Sequence, residues 1–263
     1  MKAICQYLAD EHAALDAIVK DLDEEAWQTV TPFDRWTVKD EISHLAYFDR
    51  AAHLSATDSE AFKKDIEKML EGFTDYDQMY REINTEGGAM TTAELLSWWR
   101  KEREGLLAAY GALSPKDKLP WYGPPMSAKS SATARIMETW AHGQDIADAL
   151  QIKREGTDRL KHIAHLGVST FGWSFQNRQM QVPDKKVRVE LTSPTGELWV
   201  WGSEDETDVV RGPAEDFCLV VTKRRHPADM SLEISGEAAS QWIAIAQAFA
   251  GTPDDGPQPR ERV

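Results

Sequence analysis

Three side chains of this sequence have the types that hold a catalytic metal ion. Glu138 and His142 are four residues apart, so on a helix they point the same way from successive turns. If another helix brings His44 close to them, two imidazoles and one carboxylate meet. Three protein ligands leave a position for water or substrate, which is typical of a catalytic zinc site. The spacing alone is a weak signal, because helix surfaces carry many such pairs and a single His is more often a core or surface residue.

The residues around these positions resemble a known family. Residues 36–49 are similar to the second helix of the DinB-like four-helix bundles, where a Trp, a few polar residues and then His-Leu recur. Residues 138–150 resemble the third metal-binding segment of the mycothiol-dependent maleylpyruvate isomerase branch. In that branch one His, one Glu and one His hold the metal. The resemblance places these ligands at His44, Glu138 and His142.

The resemblance covers residues 1–170 well and residues 187–250 more weakly. The second stretch is similar to the small α/β C-terminal domain of the same branch. Details at residues 212–217 and 246–251 favour an actinobacterial subgroup over the isomerase itself. The implied fold is mainly α: a DinB-like four-helix bundle followed by a small C-terminal α/β domain.

Hydrophobic periodicity predicts three parts of the chain. A metal-binding helix bundle is expected over residues 1–178, a small α+β domain over 185–250, and a disordered tail over 252–263, which is rich in Pro, Gly and charge. The predicted helices of the first part are about 3–26, 38–57, 91–112, 129–151 and 157–178, with one or two short helices in 58–85 and a Pro-rich, substrate-facing loop at 118–127. In the second part, period-two spacing predicts strands at 187–191, 197–201 and 231–235, with helices over 213–223 and 237–250.

The composition argues against several classes of binding partner. The formal net charge of −14 argues against nucleic-acid binding and against anionic membrane surfaces. There is no run of eighteen apolar residues and no signal peptide at the N-terminus, so a cytoplasmic location is expected. The expected partners are a small-molecule substrate and a small thiol, and a homodimer is left open. Cys5 and Cys218 are the only cysteines, which fits a reducing compartment, and Cys218 lies in an apolar run typical of a core residue.

Several other residues are candidates around the metal. Zinc is the default for this ligand set, although nickel, iron and manganese also accept imidazole and carboxylate. Asp145, one turn from His142, is the leading candidate to orient a ligand imidazole, and it could equally be a plain surface acid. Asp40 and Asp49 are further candidates, although a plain surface acid is the simpler interpretation of both. His12 could supply a fourth ligand, although an exposed helix His is the simpler interpretation.

A basic run near the C-terminus could bind the substrate. Arg224 and Arg225 follow an apolar stretch and could bind a carboxylate. The resemblance implies that one Arg of the C-terminal domain serves substrate or thiol cofactor, and it does not choose between these two. They could instead be a solvated helix end that complements the helix dipole.

Three functions remain open. The first is a metal-dependent, thiol-using transferase or isomerase, in which the metal lowers the pKa of mycothiol or another small thiol. The second is a non-catalytic metal-binding protein that acts in stress response or as a sensor. The third is a hydrolase that uses a metal-activated water. No general acid or base stands out in the sequence.

Overall fold

The chain forms two compact units, Met1–Lys153 and Arg154–Val263. They are seen in a computed structural model that describes residues 1–33, 35–70 and 76–262. Within these described residues, no helix has both the length and the apolar character needed to cross a membrane.

Four long helices form the first unit, joined by shorter elements. The helix α3 packs against α5, α6 and α7, and α1 packs against α6 and α7. In chain order these elements are α1 (Lys2–Val19), α2 (Glu24–Trp27), α3 (Val38–Thr57), α4 (Ser59–Leu70), α5 (Tyr76–Gly88), α6 (Thr92–Ala112), the short strands β1 (Lys118–Leu119) and β2 (Met126–Ser127), and α7 (Ala128–Ala149).

Local sequence signals set the starts of two bundle helices. Thr37 caps α3, and its main-chain N–H donates to Asp40 in a reciprocal capping box. Thr91 and Glu94 form the same arrangement at the start of α6. Each box satisfies backbone donors that the first turn of a helix leaves without partners. Apolar stripes then close the bundle around a core that includes Leu15, Val19, Ile42, Leu45, Leu95, Trp99 and Ile146.

The second unit packs helices on a four-stranded sheet. Its sheet order is β4-β3-β5-β6, with β3 and β5 parallel and the two outer pairs antiparallel. The elements are α8 (Leu160–Ser169), α9 (Phe171–Asn177), β3 (Val187–Thr192), β4 (Leu198–Trp201), β5 (Asp208–Pro213), α10 (Ala214–Val221), a 3₁₀ turn (Pro227–Asp229), β6 (Glu233–Ser235) and α11 (Glu237–Ile245).

The predicted fold class is confirmed: a helix bundle precedes a small α/β unit. The central strand β5 was not predicted, because its apolar core is only Val209-Val210 and the following Gly-Pro favours a helix start. The expected single helix over 157–178 is two helices, which meet at Thr170. The first helix ends at Val19 instead of near residue 26, and α2 is separate.

The boundary between the units differs from the expected one at residue 178. The helix α8 packs on α10 of the second unit. A Cβ at Gly167 would lie 2.8 Å from Val221, so the two helices are in close contact there. The buried Cys218 thiol also donates to the carbonyl of Leu160, at 3.5 Å. The apolar face of α8 therefore belongs to the core of the second unit.

The C-terminal residues also differ from the expected disordered tail. The side-chain amide of Gln247 donates to the Thr252 carbonyl and accepts the Asp254 main-chain N–H, at 3.1 and 3.0 Å. Arg178 donates to the Asp254 carbonyl at 2.6 Å. Composition predicted disorder, but these side-chain contacts hold the segment against the second unit.

Candidate metal centre

The three predicted ligands meet between α3 and α7. Glu138 Oε2 lies 3.5 Å from His44 Nε2 and 3.3 Å from His142 Nε2. The two imidazole centroids are 4.5 Å apart. One donor atom from each residue fits within a mutual distance of 4.8 Å. The four-residue spacing therefore points Glu138 and His142 the same way from α7, as the sequence predicted, and His44 of α3 supplies the second imidazole.

Burial and the neighbouring side chains together put His44 and Glu138 in the protonation states that bind a metal. Burial, followed by the neighbouring His142, lowers the pKa of His44 to about 4. Burial alone would raise the pKa of Glu138, but hydrogen bonds and charge from His142 and His44 outweigh it and hold that pKa well below its usual range. Near neutral pH the site therefore has an ionised carboxylate beside a neutral His44 imidazole, as metal ligation requires.

Glu41 orients His142, and the sequence analysis missed it. Its Oε2 lies 2.6 Å from His142 Nδ1, and its Oε1 accepts the Thr31 hydroxyl at 2.7 Å. Glu41 is fully buried, and burial raises its pKa. A hydrogen bond at Nδ1 leaves Nε2 directed at Glu138, which is the common way to fix a ligand imidazole. The available signal was position: Glu41 precedes His44 by three residues, on the same side of α3.

The three acids considered for that role lie in different places. Asp145 is fully buried, and its carboxylate is within 4.8 Å of the donor atoms of Glu41 and His142. A role in orienting His142 stays a prediction for Asp145. Asp40 instead caps α3, and Asp49 accepts hydrogen bonds from Trp99 and Arg135.

The other candidate residues lie outside the donor group. His12 is buried, not exposed, and its Nε2 is 3.3 Å from Asp49. In the second unit, Arg224 is buried at the end of α10 and donates to the Thr222 carbonyl at 2.7 Å. Arg225 is half-buried and donates to the Arg224 carbonyl at 2.9 Å.

Neither cysteine has the character of an activated nucleophile. Burial raises the pKa of Cys5, and it raises the pKa of Cys218 well above the usual range of a thiol. Because the thiolate is the reactive form, these environments disfavour reaction at either side chain.

Aromatic rings flank both imidazoles. Trp36 stacks on His142 with centroids 5.9 Å apart, and Phe48 lies 4.7 Å from the His44 ring. Trp121, from the Pro-rich segment between β1 and β2, lies 6.3 Å from Phe48. The segment predicted to face a substrate therefore packs beside the ring that contacts His44.

A family model described as the mycothiol maleylpyruvate isomerase N-terminal domain matches residues 8–147. The match spans over half of the chain and contains His44, Glu138 and His142. The chain belongs to this family. Within the mycothiol maleylpyruvate isomerase family, its bundle is of the DinB-like type that the residues around His44 indicated.

Two sets of proteins are similar over most of the chain. Two uncharacterised proteins of Mycobacterium tuberculosis, from strains CDC 1551 / Oshkosh and ATCC 25618 / H37Rv, are 43% identical over 249 residues, which is 95% of this chain and 96% of theirs. Crystal structures of the mycothiol-dependent maleylpyruvate isomerase and of a histidine-to-alanine mutant of it match with a TM-score of 0.59 and 14% identity, covering 88% of this chain and 92% of theirs. At that identity the structural likeness shows the fold alone.

The role of Glu41 gives a first prediction. Glu41→Gln replaces the carboxyl group that faces His142 Nδ1 with an amide, so we expect zinc affinity to fall by about tenfold while the helix content is unchanged. Isothermal titration with Zn²⁺ measures the affinity. Glu102→Gln is the matched control, because Glu102 faces His53 at 3.5 Å on the same bundle, outside the donor group. Equal zinc affinities in Glu41→Gln and wild type would contradict the role.

The environment of His44 gives a second prediction. In metal-free protein we expect its imidazole to titrate near pH 4 instead of 6.5. Between these values the unfolded chain binds a proton that the folded protein does not. This contribution to stability is therefore complete above pH 6.5 and is lost as the pH falls towards 4. Nuclear magnetic resonance of the imidazole, assigned with a His44→Gln variant, measures the midpoint, and a midpoint at 6.5 or above would contradict the shift.

Proposed function

We propose that the protein is a metal-dependent enzyme that uses a low-molecular-weight thiol, mycothiol or a similar compound. The thiol either promotes the isomerisation of a small electrophilic substrate or is itself transferred to that substrate. The observation that carries this proposal is the convergence of His44, Glu138 and His142 on one point, with a neutral His44 imidazole and an ionised Glu138 carboxylate. The family supports the thiol, since the matched domain is named for a mycothiol enzyme.

The donor chemistry fits a divalent metal. Two imidazole nitrogens and one carboxylate oxygen suit zinc first, and nickel, iron or manganese as well. A bound divalent cation would lower the pKa of a thiol ligand and keep it as thiolate at neutral pH. Glu138 is the most exposed of the three, with 24% of its side chain accessible, whereas His44 and His142 are nearly buried. A ligand from solvent would therefore reach the three donors from the side on which Glu138 lies.

The position of His12 favours an enzyme over a closed structural site. A fourth ligand from α1 would complete the coordination and leave no place for thiol or substrate. His12 lies instead beside Asp49 and in edge contact with the Trp99 ring, 6.0 Å between centroids. Within the described residues, the donor group around Glu138 does not include His12. Three protein ligands without a fourth from His12 match the composition of a catalytic centre.

The remaining residues have defined tasks in this proposal. Glu41 holds the His142 ring, and Trp36 and Phe48 limit water around the imidazoles. We assign carboxylate binding to Arg224 and Arg225, whose guanidinium groups suit planar anions. Both cysteines stay outside the chemistry, because the nucleophile is the exogenous thiol.

A ligand deletion tests the metal site. We expect His142→Ala to lose stoichiometric zinc, because a remaining His44–Glu138 pair is a poor chelate, while the bundle stays folded on its apolar core. Metal per protein is measured by mass spectrometry and helix content by circular dichroism. The control is His53→Ala, which removes a His of α3 that faces Glu102 of α6, outside the donor group. Full metal occupancy in His142→Ala would refute the assigned ligands, and global unfolding would favour a structural metal.

A thiol assay tests the reaction. Zinc-loaded wild type is mixed with maleylpyruvate and either mycothiol, glutathione or no thiol, and the cis–trans conversion is followed by absorbance. We expect a rate that needs both metal and thiol and that His142→Ala loses. A protein that binds metal yet accelerates neither this conversion nor conjugation of the thiols to a model electrophile would favour the non-catalytic function.

A further inference from the structure

A second buried polar cluster lies in the bundle and contains none of the proposed ligands. Asp49 of α3 is fully buried, and its Oδ1 accepts Nε–H of Arg135 on α7 at 2.9 Å. Its Oδ2 accepts the Trp99 indole N–H at 3.1 Å, and His12 Nε2 is 3.3 Å from the same oxygen. Each of the four long helices therefore contributes one side chain to the cluster.

The cluster contains a permanent charge pair. Burial would raise the pKa of Asp49, but Arg135 and His12 outweigh it and lower the pKa to about 2. Arg135 is only 3% exposed. A buried pair of this kind adds little to stability compared with apolar packing, whereas separating its partners leaves an uncompensated buried charge and is strongly destabilising. The pair therefore tolerates only one arrangement of α3 against α7.

The proposed ligands share the facing sides of α3 and α7 with this pair. On α7, Arg135, Glu138 and His142 follow at spacings of three and four, so they share one face of the helix. Arg135 also donates to the carbonyl of Leu45, the residue after His44, at 3.5 Å. Along the two antiparallel helices the facing pairs, in order, are Glu41 with His142, His44 with Glu138, and Asp49 with Arg135.

This order links the cluster to the metal site. A slip of α3 along α7 by one residue is about 1.5 Å, whereas metal–ligand distances are held to about 0.2 Å. Apolar side chains in a bundle tolerate small shifts, because their contacts are not directional. A buried carboxylate and guanidinium do not, since their hydrogen bonds are directional and nothing replaces them in the core.

We propose that Asp49 and Arg135 form a register clamp that sets the position of His44 relative to Glu138 and His142 and thereby determines metal affinity. Both are positioning residues, because they act through the helices that carry the ligands. The inference rests on the proposed metal site and adds residues to which the family resemblance assigns no such role.

The test replaces the clamp with apolar side chains. The double variant Asp49→Leu/Arg135→Met leaves no unpaired charge in the core, so we expect it to fold with a thermal midpoint near that of wild type. We expect its Co²⁺ affinity to fall at least about tenfold, and the visible absorption of the bound Co²⁺ to change because the ligand geometry changes. Tyr110→Phe is the matched control. It deletes a buried bond to Ser131, 2.6 Å, between α6 and α7, and should leave Co²⁺ affinity and spectrum unchanged.

The outcomes separate the clamp from the proposed function. Wild type that binds neither Co²⁺ nor Zn²⁺ would refute the metal site. The clamp is then judged by a crystal structure of the double variant, where an unchanged His44–Glu138 distance of 3.5 Å overturns it. Wild type and double variant with equal affinity and equal spectra would also overturn it. If the double variant does not fold, Arg135→Lys keeps the charge but loses the guanidinium geometry; a Co²⁺ affinity about threefold or more below wild type supports the clamp, and a smaller change overturns it.

Discussion

Buried charge between α3 and α7 is the constraint on which the rest of the bundle depends. Asp49 is inaccessible to water and Arg135 is nearly so, and neither can lose its partner without a cost that rivals a large part of a domain's stability. Apolar packing brings the four helices together, but it is compatible with several registers of α3 along α7. The ion pair forms in one register, and in that register His44 faces Glu138.

Burial also sets the chemistry of the candidate metal centre. The same desolvation that lowers the pKa of His44 would raise that of Glu138, and only the close approach of the two imidazoles reverses its sign. The carboxylate and the imidazoles therefore depend on one another in the metal-free protein. Glu41 depends on its neighbours in the same way. Burial raises its pKa, and its carboxyl group contacts His142 and accepts a hydrogen bond from Thr31. A divalent cation would relieve the crowding of donors that the fold has already assembled.

Apolar packing on a sheet and side-chain hydrogen bonds organise the second unit. Its sheet has a parallel central pair, β3 and β5, covered by helices, and its apolar core recruits α8 from the segment that the sequence assigned to the bundle. Directional side-chain bonds from Gln247 and Arg178 order a tail whose composition alone predicts disorder. In both cases a long-range contact decided the outcome, and composition and periodicity report only on local preference.

By itself, the sequence determined the helices α3 and α6 and the spacing of two candidate ligands. The capping boxes at Thr37 and Thr91 and the apolar periodicity after them are local, so the bounds of α3 and α6 could be predicted closely. The spacing of Glu138 and His142 is local too, and the family resemblance added His44. Only the tertiary structure decided which acid holds His142, and it showed that His12 joins Asp49 instead of the ligands. The physical reason is that the rotation and register of packed helices decide which side chains face one another across them, and no single helix encodes these.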